Sequence, residues 1–168
     1  MMLELFLIRH AKSSWKDLTL DDFERPLNKR GKYSALFMSE KLLKKAAIPD
    51  MILCSPAKRA KATSKPFCKT LKVSNIHFDP LIYEASMHDL YTMIKQISPS
   101  HKKVFLIGHN PELNALAYEL VQHQENIPTC GIVHIQFHTQ LWENVTQECA
   151  KKVNFYFPKQ YNDFFDYF

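Results

Sequence analysis

Three short apolar runs, each followed at once by a polar turn, constrain the fold of this chain more than any other feature. The runs lie at residues 3–8, 51–54 and 103–107. Apolar residues recur at helical spacing further along the chain from each run, over residues 29–47, 57–71 and 112–122. Short buried strands that alternate with helices predict an α/β three-layer sandwich, in which helices flank a mainly parallel central sheet.

Further segments complete the predicted sheet and its helices. Residues 75–78 can form a short strand, and Ser86 can cap a helix that reaches about residue 97. Apolar and polar residues alternate over 132–137 and 152–157, as is typical of strands. We expect these last strands to give the sheet one antiparallel edge. The aromatic tail, residues 154–168, either packs on the sheet edge or forms an oligomer contact.

Length and composition predict one folded domain over residues 1–168. Hydrophobic residues make up 46% and charged residues 23% of the chain, as in ordinary globular proteins. The apolar opening segment, residues 1–8, is too short to span a bilayer, and no basic region precedes it as in a signal peptide. The four cysteines form neither a zinc-binding nor a disulfide pattern. We therefore expect a cytoplasmic protein with no membrane contact, and the oligomeric state stays open.

The net charge of +5 suits anionic ligands but does not identify them. The lysines are spread along the chain and do not alternate with aromatic residues, as they do on surfaces that stack nucleic-acid bases. Most of them are explained by solvated helix faces, so we expect no nucleic-acid partner.

Histidine and arginine follow three of the predicted strands. Arg9 and His10 follow the first, Arg59 lies just after the second, and His109 follows the strand at 103–107. Ligands of open α/β sheets gather beyond the carboxyl ends of the strands, so these side chains should share one pocket. No carboxylate in the three turns would neutralise it. A strongly cationic pocket with arginine donors favours a phosphoryl group.

These residue types can also perform phosphoryl transfer. A neutral imidazole can attack phosphorus and form a covalent phosphoenzyme that water later hydrolyses. Arg9, Arg59 and a protonated His109 would then stabilise the negative charge on the phosphoryl oxygens. The predicted chemistry requires no metal and no cofactor.

Four segments of the sequence resemble the histidine phosphatase superfamily, and within it the small branch of SixA-type phosphohistidine phosphatases. They are Leu-Ile-Arg-His-Ala-Lys-Ser at 7–13, Asp-Phe-Glu-Arg-Pro-Leu-Asn-Lys-Arg-Gly at 22–31, Ser-Pro-Ala-Lys-Arg-Ala-Lys-Ala-Thr at 55–63 and Leu-Ile-Gly-His-Asn-Pro at 106–111. Ala11 stands where the wider superfamily usually has glycine, and the chain lacks large insertions. Both departures favour the small branch.

The resemblance implies a phosphoglycerate mutase-like fold and a role for each of four residues. His10 would be the phosphorylated nucleophile, Arg9 and Arg59 the phosphate ligands, and His109 the second histidine of the pocket. Mutase activity is disfavoured because this chain has little material for the lid that retaining a phosphoryl group requires.

Two further residues are candidates for the site. Arg25, in the long first loop, would either line the pocket mouth and bind substrate or hold that loop to the following helix. Glu84 falls roughly where larger relatives carry a proton donor, and the alternative is an exposed carboxylate without a catalytic role.

The substrate class follows from the leaving group. Imidazole can leave phosphorus as a neutral molecule, whereas an alkoxide requires a general acid. We therefore expect a phosphorylated protein that carries phosphohistidine as the substrate. A general small-molecule phosphomonoesterase remains the main alternative, and a non-catalytic phosphate-binding module is a weaker one.

Overall fold

The computed structural model describes residues 2–168 and contains one six-stranded sheet with the order β3-β2-β4-β1-β5-β6. The strands are β1 Leu3–Arg9, β2 Met51–Cys54, β3 Ile76–Phe78, β4 Lys103–Gly108, β5 Ile132–Phe137 and β6 Ala150–Tyr156. The α-helices are α1 Lys29–Lys44, α2 Lys58–Leu71, α3 Pro80–Glu84, α4 Met87–Lys95 and α5 Glu112–Val121. Every strand expected from the sequence is present.

The four strands from β3 to β1 in the sheet run parallel, and β5 runs antiparallel to both of its neighbours. The predicted mainly parallel sheet with an antiparallel edge is therefore confirmed. The reversed strand is β5, and β6 lies outside it as the outermost strand.

Two hydrophobic cores lie on opposite faces of this sheet, because successive side chains of a strand point to opposite sides. Leu5 and Leu7 of β1 belong to the core under α4 and α5. Phe6 and Ile8 of the same strand belong to the core under α1 and α2. Burial on both faces explains why β1 appears in the sequence as a continuous apolar run rather than an alternating one.

Helix α3 is the one α-helix that the sequence pattern does not predict. The Asp79 side chain accepts a hydrogen bond from the Leu81 backbone N–H at 2.9 Å, and Pro80 occupies the first turn. Its five residues are too few to show a helical period. The Ser86 cap of α4 is present as expected, with a capping box that includes Asp89.

The aromatic tail packs on helix α1. Phe164 is buried, with ring centroids 5.4 Å from Tyr33 and 5.2 Å from Phe37. Tyr167 and Phe168 remain mostly exposed. The first residues of the tail, 154–156, thus belong to the edge strand β6, and Phe164 extends the core over α1. Within residues 2–168, no helix combines the length and apolar character needed to cross a membrane.

Candidate active site

The carboxyl ends of β1, β2 and β4 meet at one edge of the sheet, and backbone hydrogen bonds hold the turns that follow them. Arg9 lies opposite Gly108 in the β1–β4 register. The His10 N–H donates to the Gly108 carbonyl at 3.1 Å, and the Ser55 N–H donates to the Ile107 carbonyl at 3.0 Å. The parallel sheet therefore fixes the starting point of all three turns.

Arg59 connects the two histidines of the pocket. Its Nε donates to His10 Nε2 at 3.3 Å, and its Nη2 lies 3.4 Å from His109 Nδ1. The two imidazole centroids are 5.1 Å apart. Arg9 lines the same cavity, whose volume is about 400 Å³. The structure thus brings together all four residues that the sequence places at the strand ends.

Thr63 ties the first of these turns to helix α2. Its hydroxyl accepts a hydrogen bond from the Ala11 N–H at 2.9 Å and donates one to the Arg59 carbonyl at 2.7 Å. Thr63 itself is completely buried. This side chain sets the position of His10 relative to Arg59. The sequence analysis includes Thr63 in a motif but assigns it no role.

His10 is held as a neutral imidazole whose Nε2 is unprotonated. Its Nδ1 lies 2.8 Å from the Ala11 carbonyl, which can only accept, so Nδ1 carries the proton. Burial is the main reason that the pKa of His10 falls to about 3, and the positive charge of Arg59 lowers it further. The unprotonated Nε2 accepts from Arg59 and is the atom available to attack phosphorus.

His109 is also neutral in the pocket without ligand. Its Nδ1 faces an Arg59 N–H, which can only donate, so the proton lies on Nε2 and points at the Ser55 hydroxyl 2.7 Å away. Burial first, and then the charge of Arg59, lower the pKa of His109 to about 4. The expectation of a protonated His109 therefore does not hold for the free protein at neutral pH.

Arg9 presents an unused donor. Its Nη1 donates to the Ile127 carbonyl at 3.0 Å, but its buried Nε has no hydrogen-bond partner among the described residues. Buried donors are nearly always paired, so this N–H is an exception among the described residues.

The first loop folds back on itself and returns Arg25 to the pocket. An isolated bridge pairs Ser13 with Leu27, and Arg25 Nη1 donates to the Ser13 hydroxyl at 3.0 Å. The Arg25 guanidinium stacks 3.6 Å from the Trp15 ring and lines the cavity. Arg25 therefore lines the cavity, and its hydrogen bonds go to Ser13 and Asp22 of its own loop rather than to the following helix.

Asp22 is a pocket residue that the sequence analysis does not assign. Its carboxylate pairs with Arg25 at 3.0 Å and with Arg59 at 2.9 Å, and it accepts from the Tyr83 hydroxyl at 2.7 Å. Partial burial would raise the pKa of Asp22, but the hydrogen bonds from Tyr83 and Arg59 outweigh it and lower the pKa to about 2. A loop carboxylate therefore offsets part of the positive charge, although the three turns carry none.

Glu84 is exposed at the end of α3 and is not among the residues that line the cavity. Its neighbour Tyr83 faces the site, with its ring 5.6 Å from that of His109. Of the residues that line the cavity, Asp22 is the one that carries a carboxylate. The remaining lining residues without a role predicted from sequence are Lys12, Ser13, Trp15, Asn110 and Thr129.

Across the described chain, no group of three or more histidine, cysteine, aspartate or glutamate residues is arranged to hold a metal ion. Three arginines, Arg9, Arg25 and Arg59, line the cavity together with Lys12 and give it its positive charge.

Residues 5–117 match the model of a protein family described as the histidine phosphatase superfamily, branch 1. The chain belongs to the histidine phosphatase superfamily. The matched segment contains His10, Arg59 and His109. As a member, the chain is a hydrolase of the phosphatase class, as the sequence resemblance implies.

Comparisons with individual proteins agree with this assignment. A chloroplastic protein of Arabidopsis thaliana, itself described as uncharacterized, is 31% identical over 149 residues, which cover 83% of this chain and 68% of that protein. The putative phosphohistidine phosphatase SixA of Agrobacterium tumefaciens has a TM-score of 0.81 at 22% identity, over 93% of this chain and 98% of its own.

A structure of the protein histidine phosphatase SixA complexed with tungstate also has a TM-score of 0.81, at 18% identity, over 94% of this chain and 99% of its own. At this level of identity the likeness shows the fold. In this histidine phosphatase, the resemblance to SixA-type proteins that the sequence shows therefore extends to the whole sheet and its flanking helices.

Proposed function

We propose that this histidine phosphatase hydrolyses phosphohistidine on proteins, without a metal ion, through a covalent phosphohistidine intermediate on His10. The observation that carries the proposal is the state of His10, a buried neutral imidazole at the cationic cavity whose unprotonated Nε2 lies against Arg59. The SixA structure that contains tungstate supports it, because tungstate is a tetrahedral oxyanion held by a protein of the same fold.

The first step is an exchange between two imidazoles. His10 Nε2 attacks phosphorus, a P–N bond forms to His10, and the P–N bond to the substrate histidine breaks. The substrate imidazole, protonated on its other nitrogen, leaves as a neutral molecule. The Ala11 carbonyl keeps its hydrogen bond to Nδ1–H and stabilises the positive charge that His10 gains.

Water completes the reaction. It attacks phosphorus and breaks the P–N bond to His10, and its protons stay with the released inorganic phosphate, so that neutral His10 is regenerated. Throughout both steps, Arg59 and Arg9, which line the cavity, stabilise the charge of the phosphoryl oxygens. His109, bonded to Arg59, orients that guanidinium.

Among the described residues no protonated carboxyl lines the cavity, which favours phosphohistidine over alkyl phosphate. Asp22 is ionised at neutral pH because its pKa lies near 2, so it has no proton to give to an alkoxide. Glu84, the candidate proton donor, lies outside the lining residues in the free protein. A neutral imidazole leaving group needs no such donor.

The test compares a phosphohistidine protein with p-nitrophenyl phosphate and sugar phosphates, using wild type, His10→Ala and the control His138→Ala, which removes an exposed histidine. We expect wild type and the control to prefer phosphohistidine and to give a phosphoenzyme that is labile in acid and stable in base. His10→Ala should give neither product nor phosphoenzyme.

A marked preference for the small phosphomonoesters would instead support the general phosphomonoesterase. In that case Glu84→Gln should abolish turnover of alkyl phosphates but still form phosphoenzyme from good leaving groups. If a phosphoryl donor fails to label His10 in the folded wild type, the result would support the non-catalytic phosphate-binding module.

Two wider expectations belong to this proposal. We expect residues 1–168 to form a single domain, and in the described part, residues 2–168, both hydrophobic cores flank the same sheet. The protein acts in the cytoplasm, an expectation consistent with its four free cysteines.

A further inference from the structure

A second cavity adjoins the phosphate pocket. Its volume is about 270 Å³, and we call it the cationic cleft. Its principal lining residues are Lys12, Arg30, Thr129, Phe157, Lys159 and Phe164. They come from the first loop, the start of α1, the turn before β5 and the tail. The fold alone therefore creates the cleft, since no local stretch of sequence contains it.

The charge of the cationic cleft is unbalanced. Lys12, Arg30 and Lys159 line it together with no carboxylate, and none of the three forms an ion pair within the described chain. Lys41, nearby on α1, contrasts with them because it pairs with Asp163 at 2.6 Å. The Arg30 guanidinium lies 6.0 Å from the centroid of the Phe164 ring and 5.9 Å from that of Phe168. Three available cations favour an anionic occupant.

The walls between these cations are apolar. Phe164 and Pro158 are buried, and Phe157 and Pro128 are half-buried. A small inorganic anion would leave these surfaces uncovered. An occupant that combines carboxylates with aliphatic or aromatic carbon would use both the walls and the cations.

The cationic cleft and the phosphate pocket share two lining residues, Lys12 and Thr129. Lys12 follows His10 by two positions, and its carbonyl accepts from the Asn28 N–H at 3.0 Å, which fixes it against the start of α1. A chain whose phosphorylated side chain reaches His10 can therefore place its neighbouring residues in the cleft.

We propose that the cationic cleft binds an acidic and partly apolar segment of the substrate protein, next to the phosphorylated histidine. This inference rests on the proposed phosphohistidine phosphatase activity. The cleft thereby selects among phosphoproteins by the residues that flank the phosphohistidine, while the phosphate pocket performs the reaction.

The experiment uses two phosphohistidine peptides. One has glutamate and leucine on both sides of the phosphohistidine, and the other has glutamine in place of each glutamate. For wild type, we expect the KM of the acidic peptide to be about fivefold lower or more, with similar kcat, because ion pairs at the cleft act on binding and not on the chemical step. In the double variant Arg30→Gln/Lys159→Gln, the two KM values should become equal.

The double variant Lys29→Gln/Lys32→Gln is the matched control. It also removes two positive charges, but from exposed positions on α1, the helix of Arg30, that lie outside the cleft. It should keep the wild-type preference. Equal KM values in wild type, or an equal loss of preference in both double variants, would overturn the inference and leave the proposed function intact. If wild type hydrolyses p-nitrophenyl phosphate but neither peptide, the proposed function fails and the inference fails with it.

Discussion

Lowering the pH from 7 to 5 should destabilise this protein through its two pocket histidines. His10 and His109 are 8% and 9% exposed, and their pKa values in the fold lie near 3 and 4. In the unfolded chain each imidazole has a pKa of about 6.5. Between these values the unfolded chain binds more protons than the native protein. The free energy of unfolding therefore falls as the pH falls through this window.

The magnitude follows from the distance between pH 5 and the unfolded pKa. At pH 5 the unfolded chain gains about 2 kcal/mol from protonating each imidazole, against about 0.2 kcal/mol at pH 7. For His10 and His109 together, the loss of stability is about 3–4 kcal/mol, a large part of the stability of an ordinary domain. The loss should level off only as the pH approaches the folded pKa values near 4 and 3.

Urea denaturation at pH 7, 6 and 5 and constant ionic strength measures this effect. The comparison protein is His10→Asn/His109→Gln, whose amides keep a donor at the positions of Nδ1 and Nε2 and do not titrate. Burial also lowers the pKa of His123 and His134, but both remain in the two proteins and cancel. Asp22 titrates below this range because its pKa lies near 2.

The variant should lose about 3–4 kcal/mol less than wild type between pH 7 and pH 5. Equal losses in the two proteins would refute the reasoning, because the imidazoles would then be charged or solvated in the native state. Urea m-values should stay equal, so that the comparison reports stability and not a change in the unfolded chain.

Three other substitutions test single contacts of the site. Asp22→Asn removes the carboxylate that pairs with Arg59. The inhibition constant of tungstate should therefore fall roughly tenfold in a steady-state assay. An unchanged inhibition constant would contradict competition by this carboxylate. Gly31→Ala places a Cβ less than 3.0 Å from the Lys12 backbone nitrogen. It should therefore lower stability by about 1–3 kcal/mol in thermal unfolding, although alanine favours helices. A raised Tm would show that the loop moves to make room for the Cβ. Thr63→Val leaves the buried Ala11 N–H without its acceptor. It should therefore lower the free energy of unfolding by about 1–3 kcal/mol in urea denaturation, and it should lower kcat as well. A loss of stability with full activity would show that Thr63 does not position the catalytic groups.

The sequence predicts the strands and the convergence of the main site residues because both depend on local signals. Apolar runs and polar turns mark β1, β2 and β4, and parallel strands necessarily bring their carboxyl ends to one edge. Arg9, His10, Arg59 and His109 follow directly from that geometry.

Other features of the site depend on contacts distant in sequence. The neutral state of His109 results from its burial beside Arg59, 50 residues away. Asp22 reaches the pocket because the loop closes through the Ser13–Leu27 bridge, and no periodicity reports such a closure. Phe164 likewise completes a core over α1 through contacts with residues distant in sequence. Charge and hydropathy patterns contain no information on these pairings.

The carboxylate of Asp22 competes with simple cellular anions for the pocket, because it already pairs with Arg59. A tethered competitor acts at an effective concentration of about millimolar or above, and it never diffuses away. Chloride or a single carboxylate offers Arg59 no more than Asp22 already does. A phosphoryl group has three oxygens, which can accept from several of the donors of Arg9, Arg25 and Arg59 at once. The pocket is thereby biased towards multidentate oxyanions over chloride and single carboxylates.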